Sequence, residues 1–267
     1  MSKIDNFGLR DEIKEYWSGR AATFDLQPGH EIFSEEERAA WQALIRRHLG
    51  SGAGRTALDL ASGTGVISHL MDDLGYQVTG LDWAEPMLER ARAKAKDRKR
   101  DIRFMLGDAE NTYEPDNTYD VIITRHLVWT LVDPAAAFAE WFRVLKPGGQ
   151  ILLIDGDFVS DTWIGRLHKG LVRMAAKLGK SNGLDTDQMR THRDILARVY
   201  FSSGARAGDI AGLLTSAGFD PVTVDTDLRA IHRTQKPHLG WFKGLERGAQ
   251  HRYAICAQKP LGETPLS

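Results

Sequence analysis

The residues with the clearest capacity for chemistry lie at positions 57–70, which read ALDLASGTGVISHL. An apolar run carrying Asp59 is followed by a turn of small residues with Gly63 and Gly65, and an apolar helical pattern then resumes. Glycine lets the backbone of such a turn approach a ligand closely. The helix after it would direct unpaired N–H groups and its positive dipole end at the same place, which favours a carboxylate or phosphate. The turn is therefore the first candidate binding site.

A second acid, Asp82, ends the next apolar run, 23 positions after Asp59 (82 − 59). This is about the spacing at which an acid accepts hydrogen bonds from a ribose, so the turn and Asp82 together indicate an adenosine-bearing ligand. The dinucleotide fingerprint G-x-G-x-x-G is nearly matched, because Ser68 stands where its third glycine would be. These residues alone therefore do not exclude an enzyme that uses a nicotinamide or flavin cofactor.

Strand and helix signals alternate through the residues around these acids. The strands are expected at 56–61, 77–82, 102–106, 119–124 and 150–155, and the helices at 65–74, 85–97 and 134–145. Proline and glycine in KPGGQ, residues 146–150, predict a turn before the last of these strands. This alternation predicts a parallel, doubly wound sheet, whose ligands bind beyond the carboxyl ends of the strands.

Four segments are predicted along the chain. Residues 1–50 are expected to form an N-terminal helical cover, with helices at 8–24 and 34–49, the second begun by a capping box of Ser34 and Glu37. Residues 51–156 form the cofactor-binding core, 157–203 a helical insertion or lid, and 204–267 complete the sheet. In the last segment we expect a helix at 207–217, strands at 219–226 and 251–258, and a long loop between those strands.

Composition narrows the classes of partner. The 267 residues carry 35 lysines and arginines against 36 acids, so no global field attracts nucleic acid or anionic lipid. The basic run RARAKAKDRKR at 90–100 is interpreted as a solvated helix face. One cysteine, Cys256, leaves neither an internal disulfide nor a zinc ligand set, and no metal site is predicted. The sequence shows no signal peptide or apolar membrane span, so we expect a cytoplasmic protein with a small-molecule partner.

The motifs LDLASGTG, VTGLDWAEPML, IRFMLGDAEN, YDVIITRHLVW and EWFRVLKPGGQILLID follow one another in this order. Together they resemble the class I S-adenosylmethionine-dependent methyltransferases, in their small-molecule branch near the ubiquinone/menaquinone C-methyltransferase-like and toxoflavin-type N-methyltransferase sequences. The resemblance covers roughly residues 16–155. It implies a seven-stranded Rossmann-like sheet, mostly parallel with a C-terminal antiparallel strand, S-adenosylmethionine as cofactor and S-adenosylhomocysteine as product.

The resemblance also implies roles for particular residues. The methionine part of the cofactor would be wrapped by the glycine turn, through Asp59, Ala61, Ser62, Gly63 and Gly65. Around the adenosine, Asp82 would hold the ribose hydroxyls, and the adenine would meet Trp83, Met87, Asp108 and Ala109. Arg125 would help to hold the amino-acid end, and an N-terminal segment would fold over the site with Tyr16 and Arg20 as cofactor contacts. The sequence departs from the family in one place, since Ala61 replaces the first glycine of the usual turn and Ser62 stands where cysteine is frequent.

Methyl transfer requires a general base only when the acceptor is protonated at its attacking atom. His126 and His30 are the candidate bases, and Trp129 and Trp163 are candidates for the acceptor pocket, although each could equally serve the core or a loop. We expect the insertion and residues 16–30 to cover the acceptor. Two alternatives remain at this point: an NAD(P)-dependent oxidoreductase, and an S-adenosylmethionine-binding module without turnover.

Overall fold

The computed structural model describes residues 3–27, 29–157, 187–239 and 250–262. Within them, seven strands form one sheet in the order β3-β2-β1-β4-β5-β7-β6. The strands are β1 (Thr56–Leu60), β2 (Gln77–Asp82), β3 (Arg103–Leu106), β4 (Tyr119–Arg125), β5 (Leu145–Gly156), β6 (Val222–Asp225) and β7 (Arg252–Gln258). The first five pair in parallel, and β7 runs antiparallel to both β5 and β6. The mostly parallel, doubly wound sheet expected from the sequence is confirmed.

The sheet reverses its strand order beside β1. From β1 the chain steps outward to β2 and β3, and then returns to place β4 on the other side of β1. A crevice opens at the carboxyl ends of the strands where the order reverses, and ligands of open α/β sheets bind there. The glycine turn leaves β1 at this crevice, and Asp82 is the last residue of the neighbouring strand.

Helices cover both faces of the sheet. They are α1 (Lys3–Arg20), α2 (Glu35–Leu49), α3 (Val66–Asp73), α4 (Glu85–Asp97), α5 (Pro134–Val144), α6 (Asp187–Leu196), α7 (Ala207–Ser216) and α8 (Arg229–Gln235). On one face α5 and α7 bury a core that includes Phe138 and Trp141, while α2, α3 and α4 bury a second core around Trp41 on the other. Both faces of the central strands are thus packed, as their nearly continuous apolar runs require.

The helix at the N-terminus is interrupted earlier than predicted. α1 ends at Arg20, and a 3-10 helix over Ala21–Leu26 replaces the end of the helix expected at 8–24. Ser34 caps α2 as predicted, because its hydroxyl accepts a hydrogen bond from the Glu37 backbone N–H at 3.1 Å. The Glu37 carboxylate accepts from the Phe33 N–H at 3.2 Å, one residue before the usual partner.

Three other predictions were wrong in detail. β5 already begins at Leu145 and includes KPGGQ, because Leu145 pairs with Tyr119 of β4 and Lys259 donates its backbone N–H to the Gly149 carbonyl. Residues 229–235, expected in a loop, form α8, which packs on α2 and buries Ile231 in the core around Trp41. β6 is short because the Phe219 N–H instead bonds the Leu214 carbonyl at the end of α7.

The predicted insertion, residues 157–203, is described only from residue 187 onward, apart from its first residue. Its described part contains α6, and Ile195 and Val199 pack there against Leu9 and Ile13 of α1. Trp163, expected in the acceptor pocket, lies outside the described residues. No helix in the described ranges combines the length and apolarity needed to cross a membrane.

Candidate active site

A cavity of about 310 Å³ lies at the carboxyl ends of β1, β2 and β4 and beneath the N-terminal segment. This volume is in the range of small-molecule sites. Most of the residues that the sequence singled out line the cavity: Arg20, His30, Asp59, Ala61, Ser62, Gly63, Asp82, Trp83, Met87, Asp108, Ala109, Arg125, His126 and Trp129. Tyr16 and Gly65 are not among its lining residues.

The glycine turn has left-handed backbone conformations at three positions. Ala61 has φ 54°, Gly63 φ 55° and Gly65 φ 82°. A Cβ atom at Gly65 would lie 2.9 Å from the Phe104 ring and 3.2 Å from the Ala91 side chain. Gly65 therefore allows the turn to pack against β3 and α4, while Gly63 lines the cavity.

Asp82 connects the end of β2 to the turn. Its carboxylate accepts hydrogen bonds from the backbone N–H groups of Gly63 at 2.9 Å and Ala84 at 2.8 Å. Burial raises the pKa of Asp82 to about 6. The carboxylate has further acceptor capacity toward the cavity, because each of its oxygens can accept more than one hydrogen bond.

Asp59 is buried below the turn and accepts a hydrogen bond from the Ser68 hydroxyl at 2.5 Å. Burial raises the pKa of Asp59 to about 7, although this bond and the charge of Arg125 oppose the rise. Arg125 donates from Nη2 to the His30 carbonyl at 3.1 Å, and its guanidinium lies 5.3 Å from the centre of the Trp41 ring. Arg125 is thereby held with its charge toward the cavity.

Two buried polar atoms at this end of the cavity have no hydrogen-bond partner among the described residues: Arg125 Nη1 and Ser62 Oγ. A buried donor without a partner costs about 1–3 kcal/mol, so such atoms indicate a ligand that completes them. A cationic donor fits a carboxylate, and the buried acids Asp59 and Asp82 fit an amine and hydroxyl groups. The residues present therefore fit S-adenosylmethionine, which carries an amino acid and a ribose.

A chain of aromatic rings lies at the other side of the cavity, and we call it the aromatic belt: Trp17, Phe24, His30, His126, Trp129 and His192. Ring centres are 4.2 Å apart for Phe24 and His30, 6.1 Å for Trp17 and Phe24, and 6.3 Å for Trp17 and Trp129. The ring of His192 lies 5.6 Å from that of Trp129, and His126 lies 6.4 Å from His30. Such a surface suits a planar, largely apolar partner.

The loop after β4 places two members of the aromatic belt. Trp129 lies in the 3-10 helix Val128–Thr130, whose first N–H donates to Asp155 at 2.8 Å. His126 has a left-handed φ of 63° and donates its backbone N–H to the Ile154 carbonyl at 3.0 Å. On the far side of its ring, Arg252 donates a hydrogen bond to His126 Nε2.

The N-terminal segment, residues 16–27 and 29–31, is tied over the cavity by polar contacts. Lys94 of α4 bonds the carboxylates of Asp25 at 2.9 Å and Glu31 at 2.6 Å. The Thr64 hydroxyl donates to Asp25 at 2.5 Å, which links the same contact to the glycine turn. The Tyr16 hydroxyl accepts a hydrogen bond from Arg20 Nη1 at 2.6 Å. Tyr16 therefore supports a lining residue and does not line the cavity itself.

The lining residues that sequence reasoning missed include three members of the aromatic belt: Trp17, Phe24 and His192. Trp17 and Phe24 are aromatic residues within positions 16–30, the segment that the sequence analysis expects to cover the acceptor. No sequence signal marked His192, since it enters the cavity only because α6 packs on α1. Burial and the nearby Arg20 charge lower the pKa of His192. Among the described residues, no group of three or more His, Cys, Asp or Glu is placed to hold a metal.

Comparison with known proteins agrees with this geometry. Residues 58–153 match a methyltransferase domain family. The chain is 30% identical over 243 residues to a demethylmenaquinone methyltransferase of Renibacterium salmoninarum, covering 88% of this chain and 97% of that protein. With its counterpart in Paenarthrobacter aurescens it shares 27% identity over 235 residues, covering 85% and 87%.

Solved structures share the fold. A Haemonchus contortus phosphoethanolamine N-methyltransferase 2 in complex with S-adenosyl-L-methionine superposes with a TM-score of 0.62 at 17% identity, covering 91% of this chain. The chain spans only 57% of the length of that enzyme. A geranyl diphosphate C-methyltransferase from Streptomyces coelicolor has a TM-score of 0.55 at 15% identity, covering 83% of this chain and 76% of that enzyme.

These matches favour methyl transfer over the oxidoreductase that the near-fingerprint allowed, and over a binding module without turnover. The relative from Renibacterium is matched over nearly its whole length, and the methyltransferase family model covers the strands that carry the glycine turn and Asp82. The chain belongs to the class I S-adenosylmethionine-dependent methyltransferases that act on small molecules.

Proposed function

We propose that this methyltransferase acts on a planar aromatic acceptor that carries a ring hydroxyl, with reduced quinones as the first class to test. The aromatic belt carries this proposal, because its rings offer faces and edges against which a flat ring can stack. The names of the relatives support it, since several are demethylmenaquinone methyltransferases or ubiquinone/menaquinone biosynthesis C-methyltransferases.

We further propose how the chain holds the cofactor. Arg125 Nη1 and Ser62 Oγ, the buried atoms without partners, would take the amino-acid end together with Asp59. Asp82 would accept from the ribose hydroxyls with the lone pairs that Gly63 and Ala84 leave free. The adenine would lie among a mostly apolar set of lining residues, Trp83, Met87, Asp108 and Ala109.

When bound, S-adenosylmethionine supplies a methyl group on a positively charged sulfur, which keeps the electron pair of the broken bond when an acceptor atom attacks in line. The contribution of the chain is to align the acceptor and to exclude water. The N-terminal segment supplies the exclusion, because Lys94 fastens it through Asp25 and Glu31.

His30 is the proposed general base for the acceptor proton. Its Nδ1 lies 3.3 Å from the Phe24 carbonyl oxygen. Because a carbonyl oxygen only accepts, Nδ1 carries the ring proton and donates a hydrogen bond to it. His30 lines the cavity, where a neutral imidazole can take up a proton from a bound molecule. The Phe24 ring, stacked on the imidazole at 4.2 Å, keeps the ring in this orientation.

An acceptor panel with mass spectrometry of the product tests the proposal. We expect a methylated product from a reduced naphthoquinone with an unsubstituted ring carbon, and none from the same ring with both hydroxyls already methylated. Trp129→Leu should raise the KM for the hydroquinone while the affinity for S-adenosylhomocysteine stays unchanged. Tyr200→Leu, at an exposed tyrosine outside the cavity, is the matched control and should match the wild type. Methylation of phosphoethanolamine but of no hydroquinone would contradict the proposed acceptor class.

A further inference from the structure

Arg125 is a cation at the cavity that contacts no carboxylate of the described residues. It ends β4, lines the cavity and donates from Nη2 to the His30 carbonyl at 3.1 Å, while its buried Nη1 has no partner there. Burial lowers the pKa of Arg125, and the charges that oppose this effect come from acids beyond ion-pair distance: Asp59, Glu31, Glu37 and Asp25. A buried guanidinium without a contacting anion of its own favours an anion supplied by a ligand.

Trp41 of α2 packs against this guanidinium from outside the cavity. The guanidinium carbon of Arg125 lies 5.3 Å from the centre of the Trp41 ring, which is within the range of a cation–π contact. Trp41 is 1% exposed and is not among the residues that line the cavity. Its contact with Arg125 is therefore the route by which Trp41 would act on a bound molecule.

Two buried polar side chains fix the Trp41 ring in turn. Trp41 Nε1 donates to Glu37 Oε1 at 3.4 Å, and Gln235 of α8 donates to the same oxygen at 2.7 Å. Glu37 and Gln235 are each 1% exposed. Because an indole has a single N–H, a bond at that group sets the orientation of the whole ring. A series of contacts thus runs from α8 through α2 to Arg125.

We propose that Trp41 is a positioning residue that holds the Arg125 guanidinium toward the carboxylate of S-adenosylmethionine. This rests on the proposed function, in which Arg125 Nη1 takes the amino-acid end of the cofactor, and it deepens that arrangement by adding a residue outside the cavity. An arginine side chain has several rotatable bonds, and binding a ligand with it costs conformational entropy. Packing on the Trp41 ring restricts those bonds before the ligand arrives, which preserves affinity.

Two ligands that differ only in the carboxylate provide the test. They are S-adenosylhomocysteine and its decarboxylated analogue, S-adenosyl-3-thiopropylamine. Calorimetric titration of each gives the ratio of their affinities, which we call the carboxylate preference. We expect the wild type to prefer S-adenosylhomocysteine by about tenfold or more, as for a hydrogen bond between charged groups, and Arg125→Met to lose this preference.

Substitution of Trp41 should reduce the carboxylate preference in a graded way. Trp41→Leu removes the aromatic face, so we expect the affinity for S-adenosylhomocysteine to fall by about fivefold to thirtyfold while that for the analogue stays unchanged. Trp41→Phe keeps a smaller face and should show a smaller loss in the same direction, and it decides the question if Trp41→Leu does not fold. Leu44→Ala is the control, because Leu44 lies one turn along α2 in the same core and is 2% exposed. It should destabilise the fold and leave the carboxylate preference unchanged.

A double variant shows whether Trp41 acts through Arg125. In the Arg125→Met background, Trp41→Phe should change the affinity for neither ligand. A wild-type carboxylate preference in the Trp41 variants, or an equal loss of affinity for both ligands, would overturn the positioning role while Arg125 keeps its place in the cofactor site. If the wild type has no carboxylate preference, or Arg125→Met retains it, the proposed placement of the amino-acid end is contradicted, and the positioning role of Trp41 falls with it.

Discussion

At the scale of single residues, Ala61 is a strained substitute for glycine. Its φ of 54° costs an L-residue about 1–2 kcal/mol, which exceeds the extra unfolded-state entropy that a glycine would bring, about 0.5–1 kcal/mol. We therefore expect Ala61→Gly to raise the free energy of unfolding by roughly 0.5–1 kcal/mol in urea titrations. Ala91→Gly, in the buried interior of α4, is the control and should lower the free energy of unfolding by about 1 kcal/mol or more. A destabilised Ala61→Gly would show that the turn carries no such strain.

Asp59 gives the fold a characteristic pH dependence. Burial raises the pKa of Asp59 to about 7 from its ordinary 3.8. Between these values the folded protein binds more protons at Asp59 than the unfolded chain does, so the contribution of Asp59 to the free energy of unfolding falls as pH rises through that window. We therefore compare the free energy of unfolding of Asp59→Asn with that of the wild type at pH 5 and at pH 8. The difference should shift in favour of the variant by about 1 kcal/mol or more at the higher pH. Parallel pH profiles for the two proteins would refute the raised pKa.

At the scale of elements, one lysine fastens the N-terminal segment to α4 and the glycine turn. Lys94 is 21% exposed and bonds Asp25, Glu31 and the Thr64 hydroxyl. Lys94→Met would leave two carboxylates close together without their cation, so we expect a loss of about 1–2 kcal/mol in the free energy of unfolding and faster dissociation of S-adenosylhomocysteine. Lys96→Met, on the exposed side of the same helix, should change neither quantity. Equal behaviour of the two variants would mean that the contact does not hold the segment.

The elements that the sequence predicted well are those with a local apolar pattern, either a continuous run or a stripe at helical spacing. β1 and β2 are apolar runs and α3 and α4 carry apolar stripes, so their positions follow from local pattern. α8 was missed because its sequence RAIHRTQ contains a single large apolar residue, Ile231. Its burial depends on packing against α2, which is distant in the sequence. The basic run in α4 was interpreted as a solvated face, yet Lys94 turns inward to acids from a segment about 60 positions earlier.

At the scale of the whole molecule, topology locates the cavity and tertiary packing completes it. Asp59 and Asp82 were identifiable because strand ends beside a reversal of strand order converge on one crevice. Trp17 lies in the segment that was expected to cover the site, although it was not singled out. His192 comes from α6, and no local sequence pattern connects it to that crevice. The lining near the glycine turn was thus predictable in outline. The aromatic belt was predictable only through His30, His126 and Trp129, because its other members were not singled out from the sequence.

We propose that the crevice beside the glycine turn binds the cofactor through Asp82. Calorimetric titration with S-adenosylhomocysteine measures this binding in the wild type, in Asp82→Asn and in the exposed control Asp97→Asn. We predict binding to wild type and control, and an affinity lower by about 1.5–3 kcal/mol in Asp82→Asn, the range for a hydrogen bond to a charged group. Asp82→Asn should also unfold more easily without ligand, because the carboxylate holds the Gly63 and Ala84 N–H groups. Absence of binding to the wild type at millimolar concentration, or equal affinity in Asp82→Asn and wild type, would contradict the claim.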